Sequence, residues 1–153
     1  LLTHLNAHMT KRYTRQTGNF MTAFYAVFDP AAGTLSYASA GHNPPRLVRA
    51  ADGSRVILNR AQSLPLGIKP DERYPEQVVP LHAGDRVVFF TDGVIEAVNA
   101  EGDVFGPDRL DATTDEPAAS AEELLRAVLR GFNRFTEGVP VADDRTLVVV
   151  RRS

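Results

Sequence analysis

The apolar positions of this chain change their period near residue 20, which separates a helical start from a strand-rich remainder. Before that point apolar residues recur mostly at spacings of three or four: Leu1, Leu2, Leu5, Met9 and Tyr13. This spacing predicts an amphipathic helix over residues 1–15. The helix begins without a capping residue, and Leu1 is not an initiator methionine, so we expect upstream sequence to have been removed.

From Phe20 onward the apolar positions alternate in short runs. The runs cover residues 23–29, 34–40, 46–50, 54–58 and 77–81. The sequences between them, such as Asp29-Pro30-Ala31-Ala32-Gly33 and Ala51-Asp52-Gly53, favour tight turns. Alternation interrupted by turn formers predicts a meander of antiparallel strands.

The second half of the chain contains two further strand patterns and one strong helix pattern. Residues 86–91 form an unbroken apolar run, which is typical of a strand covered on both faces and predicts a central position in the sheet. Ser120 and Glu123 form a capping box ahead of apolar residues at helical spacing, so we expect a helix that packs on the sheet. The β-branched run at 146–151 predicts the last strand.

Length and composition narrow the class of protein. The chain has 153 residues, 17 basic and 19 acidic side chains, and no cysteine. The absence of cysteine within it excludes a disulfide scaffold, a thiolate zinc site and a cysteine nucleophile. A net charge of -2 gives no positive electrostatic field that would attract nucleic acid or an anionic membrane. No apolar run approaches the ~20 residues that are needed to cross a bilayer. We therefore expect a single cytoplasmic domain that binds neither.

Two acidic segments adjoin predicted strands. Asp92 follows the apolar run at 86–91, and Asp143 with Asp144 precedes the run at 146–151. If these strands are antiparallel neighbours, the carboxylates converge at one edge of the sheet, where oxygen ligands suit magnesium or manganese. Gly93 permits the close backbone approach of a crowded ion site. The alternative at each position is an aspartate that only accepts hydrogen bonds in a turn.

His42 is a second candidate, in the segment Ala40-Gly41-His42-Asn43-Pro44-Pro45. Two prolines stiffen this loop and could fix the imidazole near a substrate. The alternative is that the ring hydrogen-bonds the backbone and holds the loop. No Gly-x-Ser-x-Gly segment occurs and no second histidine has zinc-ligand spacing, so neither a serine hydrolase nor a histidine metal site is expected.

Seven segments, in order, resemble the SpoIIE-like branch of the PPM (protein phosphatase 2C-like) metal-dependent phosphatases. They are Phe20-Met21-Thr22-Ala23-Phe24-Tyr25, Leu35-Ser36-Tyr37-Ala38-Ser39-Ala40-Gly41-His42-Asn43-Pro44-Pro45, Leu64-Pro65-Leu66-Gly67, Gly84-Asp85, Thr91-Asp92-Gly93-Val94-Ile95-Glu96-Ala97-Val98-Asn99, Phe105-Gly106 and Asp143-Asp144-Arg145-Thr146. The resemblance as a whole covers residues 20–151. Each segment alone is a weak signal, but their common order identifies the family.

The resemblance implies an α+β fold, a sandwich of two mainly antiparallel β-sheets flanked by α-helices. It implies a site for two manganese or magnesium ions, in which Asp92 and Asp143 look like ligands of one metal and Gly93, His42 and Asp144 line the site. No catalytic residue beyond the metal ligands is implied. The implied reaction is hydrolysis of phosphoserine or phosphothreonine on a regulatory protein in bacterial signalling, such as an anti-sigma-factor antagonist, without a covalent intermediate.

The chain departs from the family at one point. The family carries an earlier Asp-x-x-Gly-His-Gly segment whose aspartate bridges the two metals, and no such segment occurs in these 153 residues. We therefore interpret residues 1–153 as one N-terminally truncated phosphatase domain that lacks its first strands. We expect this chain alone to bind manganese weakly and hydrolyse little. We also expect an unpaired strand edge, at 86–91 or its neighbours, to favour a dimer or domain swapping.

Two other functions remain open at this point. One is a non-catalytic phosphatase-like module that binds a partner or senses a signal, which loss of the Asp-x-x-Gly-His-Gly aspartate from the natural gene would favour. The other is a sandwich domain that holds no metal at all. Substituting Asp92 by asparagine in the complete protein would distinguish the metal-free domain from the phosphatase.

Overall fold

The structure is a computed structural model of the chain and describes residues 1–14, 18–116 and 118–153. Its helices are α1 (Leu2–Met9), followed by a π-helical turn (Thr10–Thr14), α2 (Asp92–Ile95), α3 (Gly106–Thr114) and α4 (Ala121–Phe135). Its strands are β1 (Ala23–Asp29), β2 (Thr34–Ala40), β3 (Arg46–Val48), β4 (Arg55–Ile57), β5 (Gln62–Ser63), β6 (Gln77–Pro80), β7 (Arg86–Phe90) and β8 (Leu147–Arg151). None of the described helices has the length and apolar character needed to span a bilayer.

The strands form two four-stranded sheets within the described residues, each in its own compact unit. The first unit comprises Leu1–Pro44 and Leu58–Leu81, and the second comprises Pro45–Ile57 and His82–Ser153. All strand pairs are antiparallel except the short pairing of β2 with β5. The predicted α+β class with two mainly antiparallel sheets and flanking helices is confirmed.

In the first unit the sheet is built on the hairpin of β1 and β2, which the alternating pattern predicted. The turn between them closes because the Asp29 carboxylate accepts hydrogen bonds from the backbone N–H groups of Ala31 and Ala32, at 3.0 and 2.9 Å. Across the strands Phe24 stacks on the buried Tyr37, with ring centres 5.4 Å apart. β2 continues the sheet by pairing with β6.

The first helix differs from its prediction. It ends at Met9 and continues as the π-helical turn, whereas Arg15, the predicted last residue, lies outside the described residues. Asn6 lies on its buried face and donates to the carbonyl of Lys69 at 2.8 Å while accepting from the Gly67 N–H at 2.8 Å. A buried amide therefore fixes α1 to the loop that follows β5, which apolar spacing alone did not indicate.

In the second unit the strand order is β4-β3-β7-β8. β7 pairs with β3 on one side and β8 on the other, so its predicted central position is confirmed. An unpaired edge was predicted at residues 86–91 or their neighbours. Both edges of β7 are paired, and the neighbouring strand β8 lies at one edge of this sheet, with β4 at the other, among the described strands. Both faces of β7 bury side chains, since Val87, Val88 and Phe90 are each at most 2% exposed.

Helix α4 packs on this sheet as predicted and begins at its capping residue. The Ser120 hydroxyl accepts from the Glu123 N–H at 3.1 Å, while the Glu123 carboxylate accepts from the Ala119 N–H at 2.7 Å. Leu124, Val128 and Phe132 are buried in the core of the unit. Leu129, predicted for the same face, is 41% exposed because it lies on the flank of the buried stripe.

Candidate metal site

The two acidic segments lie at one edge of the second sheet. β7 ends at Phe90, which pairs with Leu147 at the start of β8. Thr91 remains extended and caps α2, so Asp92 occupies the first turn of that helix. Because the strands are antiparallel, the segment at 143–146 arrives where β7 ends. The neighbouring antiparallel strands on which the predicted convergence depended are therefore present.

Two threonines join the segments. The Thr91 N–H donates to the carbonyl of Thr146 at 3.1 Å, and the Thr146 N–H donates to the Thr91 hydroxyl oxygen at 3.0 Å. The same hydroxyl lies 3.4 Å from the carbonyl oxygen of Asp144, to which it donates. Sequence reasoning missed this role of Thr91 and Thr146. The signal available in the sequence was a threonine within two residues of each acidic segment, at a strand end.

Gly93 allows the segments to touch. A Cβ atom placed on Gly93 would lie 2.3 Å from the carbonyl oxygen of Asp144 and 3.5 Å from the Cβ of Asp143. Contacts below 3.0 Å essentially never occur for a real Cβ, so only glycine fits here without displacing the neighbouring backbone. The close approach expected at Gly93 is present, and the group that approaches is the backbone of residues 143–144.

The carboxylates at this edge are exposed and carry uncompensated charge. Asp92 accepts from the N–H of Gly93 at 3.0 Å, and Asp143 accepts from the N–H of Asp144 at 2.7 Å. None of Asp92, Asp143 and Asp144 forms an ion pair with a residue that the structure describes. These contacts agree with the turn-forming alternative, but they engage one oxygen of each carboxylate and leave the other available.

The donor set is smaller than a complete metal cage. Over residues 1–14, 18–116 and 118–153, no group of three or more histidine, aspartate or glutamate side chains converges in a way that could hold an ion. Two carboxylates at one edge suit a hard cation such as magnesium or manganese, which keeps several water ligands. The roles of Asp92 and Asp143 as ligands, and of Asp144 as a lining residue, stay predictions.

A groove of about 270 Å³ adjoins the acidic edge. Its floor is mostly apolar, and charged side chains stand among its lining residues, which are Gly93, Glu96, Ala97, Val98, Val139, Pro140, Ala142, Asp143 and Arg145. Since Gly93 and Asp143 belong to both features, the groove is continuous with the candidate metal site. Neither the groove nor Arg145 was indicated by the sequence.

His42 lies in the first compact unit, directly after β2. Its Nδ1 atom is 3.2 Å from the Thr22 hydroxyl, and its carbonyl accepts from the Gln62 side chain at 3.3 Å. Gly41 before it has a φ of +67°, and a Cβ there would lie 2.5 Å from a Pro65 side-chain carbon. The contact of the ring with the Thr22 hydroxyl thus helps to hold the loop. The site-lining role of His42 stays a prediction.

The whole chain matches a known family model. Residues 1–153 match the model of the Stage II sporulation protein E (SpoIIE) family. Phosphoserine phosphatase RsbU of Bacillus subtilis is 32% identical over 133 residues, which are 87% of this chain and 39% of RsbU. The chain therefore spans about two fifths of that relative.

Solved structures share the fold. The phosphatase domain of SpoIIE from Bacillus subtilis, presoaked with manganese, superposes with a TM-score of 0.69 at 20% identity, over 99% of this chain and 64% of that one. The SiaA PP2C domain of Pseudomonas aeruginosa gives a TM-score of 0.73 at 17% identity, over 99% of this chain and 69% of that one. At these identities the likeness establishes the fold, that of part of a PP2C phosphatase domain.

Proposed function

This chain belongs to the Stage II sporulation protein E (SpoIIE) family, and we propose that it carries part of a metal-dependent phosphatase site that acts on phosphoserine or phosphothreonine in a regulatory protein. The observation that carries the proposal is the contact of Gly93 with the backbone of residues 143–144. It brings the two acidic segments of the family pattern together at one sheet edge. The relative RsbU is named a phosphoserine phosphatase, which supports the reaction class.

The residues at the acidic edge fit a divalent cation in part. Asp92 and Asp143 offer exposed carboxylate oxygens without cationic partners among the described residues, and they would hold one ion together with water. A bound divalent ion supplies activation of water and neutralises charge on the phosphoryl oxygens. The manganese presoak of the SpoIIE phosphatase domain supports manganese, and magnesium suits the same donors.

The chain's own contribution is to hold these carboxylates in place. The paired hydrogen bonds of Thr91 and Thr146 fix the separation of the acidic segments, and Gly93 lets them touch. The chain contains no cysteine, and we assign the aspartates as ligands instead of nucleophiles. Hydrolysis then proceeds without a covalent enzyme intermediate. By the family resemblance the substrate is a phosphorylated regulator, such as an anti-sigma-factor antagonist.

The proposal is tested by replacing the two ligands in the full natural protein. Asp92→Asn and Asp143→Asn should each lower kcat/KM on a phosphoserine peptide by at least about a hundredfold, because each removes a metal ligand. Each should cost less than about 0.5 kcal/mol in the free energy of unfolding, since both side chains are exposed. Asp71→Asn, an exposed aspartate in the other unit, is the matched control. Full activity of Asp92→Asn would show that Asp92 is not a ligand.

We expect the 153-residue chain by itself to bind manganese weakly. No Asp-x-x-Gly-His-Gly segment occurs in it, and in the family the bridging aspartate comes from that segment. Calorimetric titration of manganese should therefore give no tight binding, with Asp92→Asn reducing what remains. Binding of manganese at two sites with micromolar affinity would show this prediction wrong.

A second candidate is a phosphatase-like module that binds a phosphoprotein without hydrolysing it. It is favoured by the small donor set, since no three-ligand group converges in the described part of the chain. The two functions differ in the full natural protein. Turnover of a phosphoserine peptide that depends on Mn²⁺ supports the phosphatase, whereas saturable binding without turnover supports the module.

A further inference from the structure

Arg145, inside the segment Asp143-Asp144-Arg145-Thr146, has an unusual environment for an arginine. Its guanidinium carbon lies 4.9 Å from the ring centre of Phe132 on α4. Its Nε atom is buried without a hydrogen-bond partner, and no described residue forms an ion pair with it. A buried donor without an acceptor is costly and calls for a physical explanation.

Two other arginines of this unit with low exposure form ion pairs. Arg46 donates to Asp111 at 2.8 Å, and Arg49 donates to Asp85 at 2.7 Å. Arg145 has only the face of Phe132, which attracts the cation but supplies no acceptor oxygen. Its two terminal nitrogens are neither buried nor hydrogen-bonded to a described residue. Its donors are therefore held in place and unused.

Arg145 is a lining residue of the groove beside the acidic edge. Arg145 lines that groove of about 270 Å³ together with Gly93 and Asp143. Arg145 also lines a mostly apolar cavity of about 310 Å³ beside α4, whose walls include Val128 and Leu147. Apolar walls exclude water and strengthen a charge interaction at the groove. An anion that enters this groove from solvent would supply the acceptor that no described residue gives to Arg145.

We propose that Arg145 binds the phosphoryl group of the substrate. This inference rests on the proposed phosphatase function and adds a substrate-binding residue to it. A guanidinium presents parallel N–H donors that match two phosphoryl oxygens, which a lysine ammonium does not. A phosphoryl dianion also offers more charge and more acceptors than a carboxylate, and the arginine offsets the repulsion that Asp143 and Glu96 exert on it. Arg145 transfers no proton and forms no covalent bond to the substrate. It orients the phosphoryl group for attack by water.

The test follows the side-chain Nε–H resonance of Arg145 in the 153-residue chain by nuclear magnetic resonance. Inorganic phosphate is added against chloride at matched ionic strength, with and without Mg²⁺. We expect a saturable shift of this resonance, identified by its loss in Arg145→Lys. Arg145→Met keeps an unbranched side chain over Phe132 but has no Nε–H group, so the phosphate affinity of each variant and of wild type is also measured from the backbone amide resonance of Gly93, which lines the same groove. Arg145→Met should bind phosphate at least about tenfold more weakly. Arg145→Lys should fall between them.

The control is Arg134→Met, which removes an exposed arginine near the end of α4 and should leave phosphate affinity unchanged. The proposal is overturned if the Arg145 resonance does not shift on addition of phosphate, either with or without Mg²⁺. Equal phosphate affinity of wild type and Arg145→Met also overturns it. A peptide with glutamate in place of phosphoserine should shift the resonance far less; an equal shift would mean that the groove recognises carboxylates.

These outcomes are separable from those of the proposed function. Phosphate binding through Arg145 in a full natural protein that has no turnover would refute the phosphatase and keep the anion site. Metal-dependent turnover with kcat/KM unchanged by Arg145→Met would keep the phosphatase and refute the role of Arg145. If thermal melts show that Arg145→Met is poorly folded, the resonance shift in the wild-type chain still decides whether Arg145 binds phosphate.

Discussion

Asp85, of the Gly84-Asp85 pair in the family pattern, has a structural role. Its side chain is 1% exposed and forms an ion pair with Arg49 at 2.7 Å. It also accepts from the N–H groups of Ala50 and His82, each at 2.9 Å. Burial by itself would raise the pKa of this carboxyl group, but the hydrogen bonds from His82, Ala50 and Arg49 outweigh burial and lower the pKa. Asp85 therefore ties the turn before β7 to the end of β3.

This arrangement predicts how stability depends on pH. The pKa of Asp85 in the folded protein lies below its ordinary value of 3.8. The ionised carboxylate therefore stabilises the fold above that pH, and this stabilisation is lost as the pH falls through the pKa of the folded state. Asp85→Asn should lower the free energy of unfolding by roughly 2–3 kcal/mol at pH 7. In urea titrations the gap between wild type and variant should shrink below about pH 4. A gap of constant size across this range would contradict the assignment.

Gly93 predicts a large effect from one methyl group. Gly93→Ala places a Cβ 2.3 Å from the Asp144 carbonyl oxygen, and backbone on both sides must move. The expected loss is about 1–3 kcal/mol in the free energy of unfolding, with weaker manganese binding in calorimetry. Gly131→Ala on α4 is the comparison, because there the new Cβ meets a side-chain methyl group of Thr113 and no backbone atom, and alanine is favoured over glycine within a helix. If both variants are equally stable, the packing at Gly93 is looser than the structure has it.

The sequence predicted residues of the candidate site only where they lie next to the end of a predicted strand. Asp92, Gly93 and Asp143 could be selected because each adjoins a strand whose apolar run is unmistakable. Thr91, Thr146 and Arg145 lie in the same segments and were not selected. The roles of the two threonines depend on which backbone group each contacts across the sheet edge. The role of Arg145 depends on the lack of an acceptor among the described residues near it. A periodic sequence pattern reveals neither of these.

At the scale of elements, prediction succeeded where a pattern repeats several times. The hairpin of β1 and β2, the central β7 and the amphipathic α4 all extend over enough residues for a period to show. β5 was missed because it has two residues and pairs in parallel with β2. The end of α1 at Met9 was missed because apolar spacing does not distinguish an α-helix from the π-helical turn that follows it.

The cap of α4 gives a prediction at this scale. Ser120→Ala removes the acceptor for the Glu123 N–H and should cost about 1 kcal/mol in the free energy of unfolding, measured by urea denaturation. Ser120→Asp keeps an acceptor at the same place and adds a charge that the helix N-terminus favours, so it should retain or raise stability. Equal losses for both variants would mean that the serine matters for another reason.

At the scale of the whole chain, its exposed sheet edges lead to the last prediction. β1 is the longest edge strand, pairs only with β2 among the described strands, and carries exposed Tyr25 and Val27. An edge of this length with apolar side chains is a template for another strand. We therefore expect the 153-residue chain to dimerise through β1 at high concentration.

Sedimentation equilibrium measures this directly. Val27→Lys places a charge on the β1 edge and should shift the chain toward monomer, because burying an unpaired lysine between two strands is costly. Val148→Lys is the matched control: it places the same charge on β8, an edge strand of the other sheet, at a residue of similar exposure, 47% against 45%. If Val148→Lys dissociates the dimer and Val27→Lys does not, the dimer contact lies at β8, at one edge of the second sheet, and the prediction for β1 is wrong. A wild-type chain that sediments as a clean monomer at high concentration would refute edge pairing altogether.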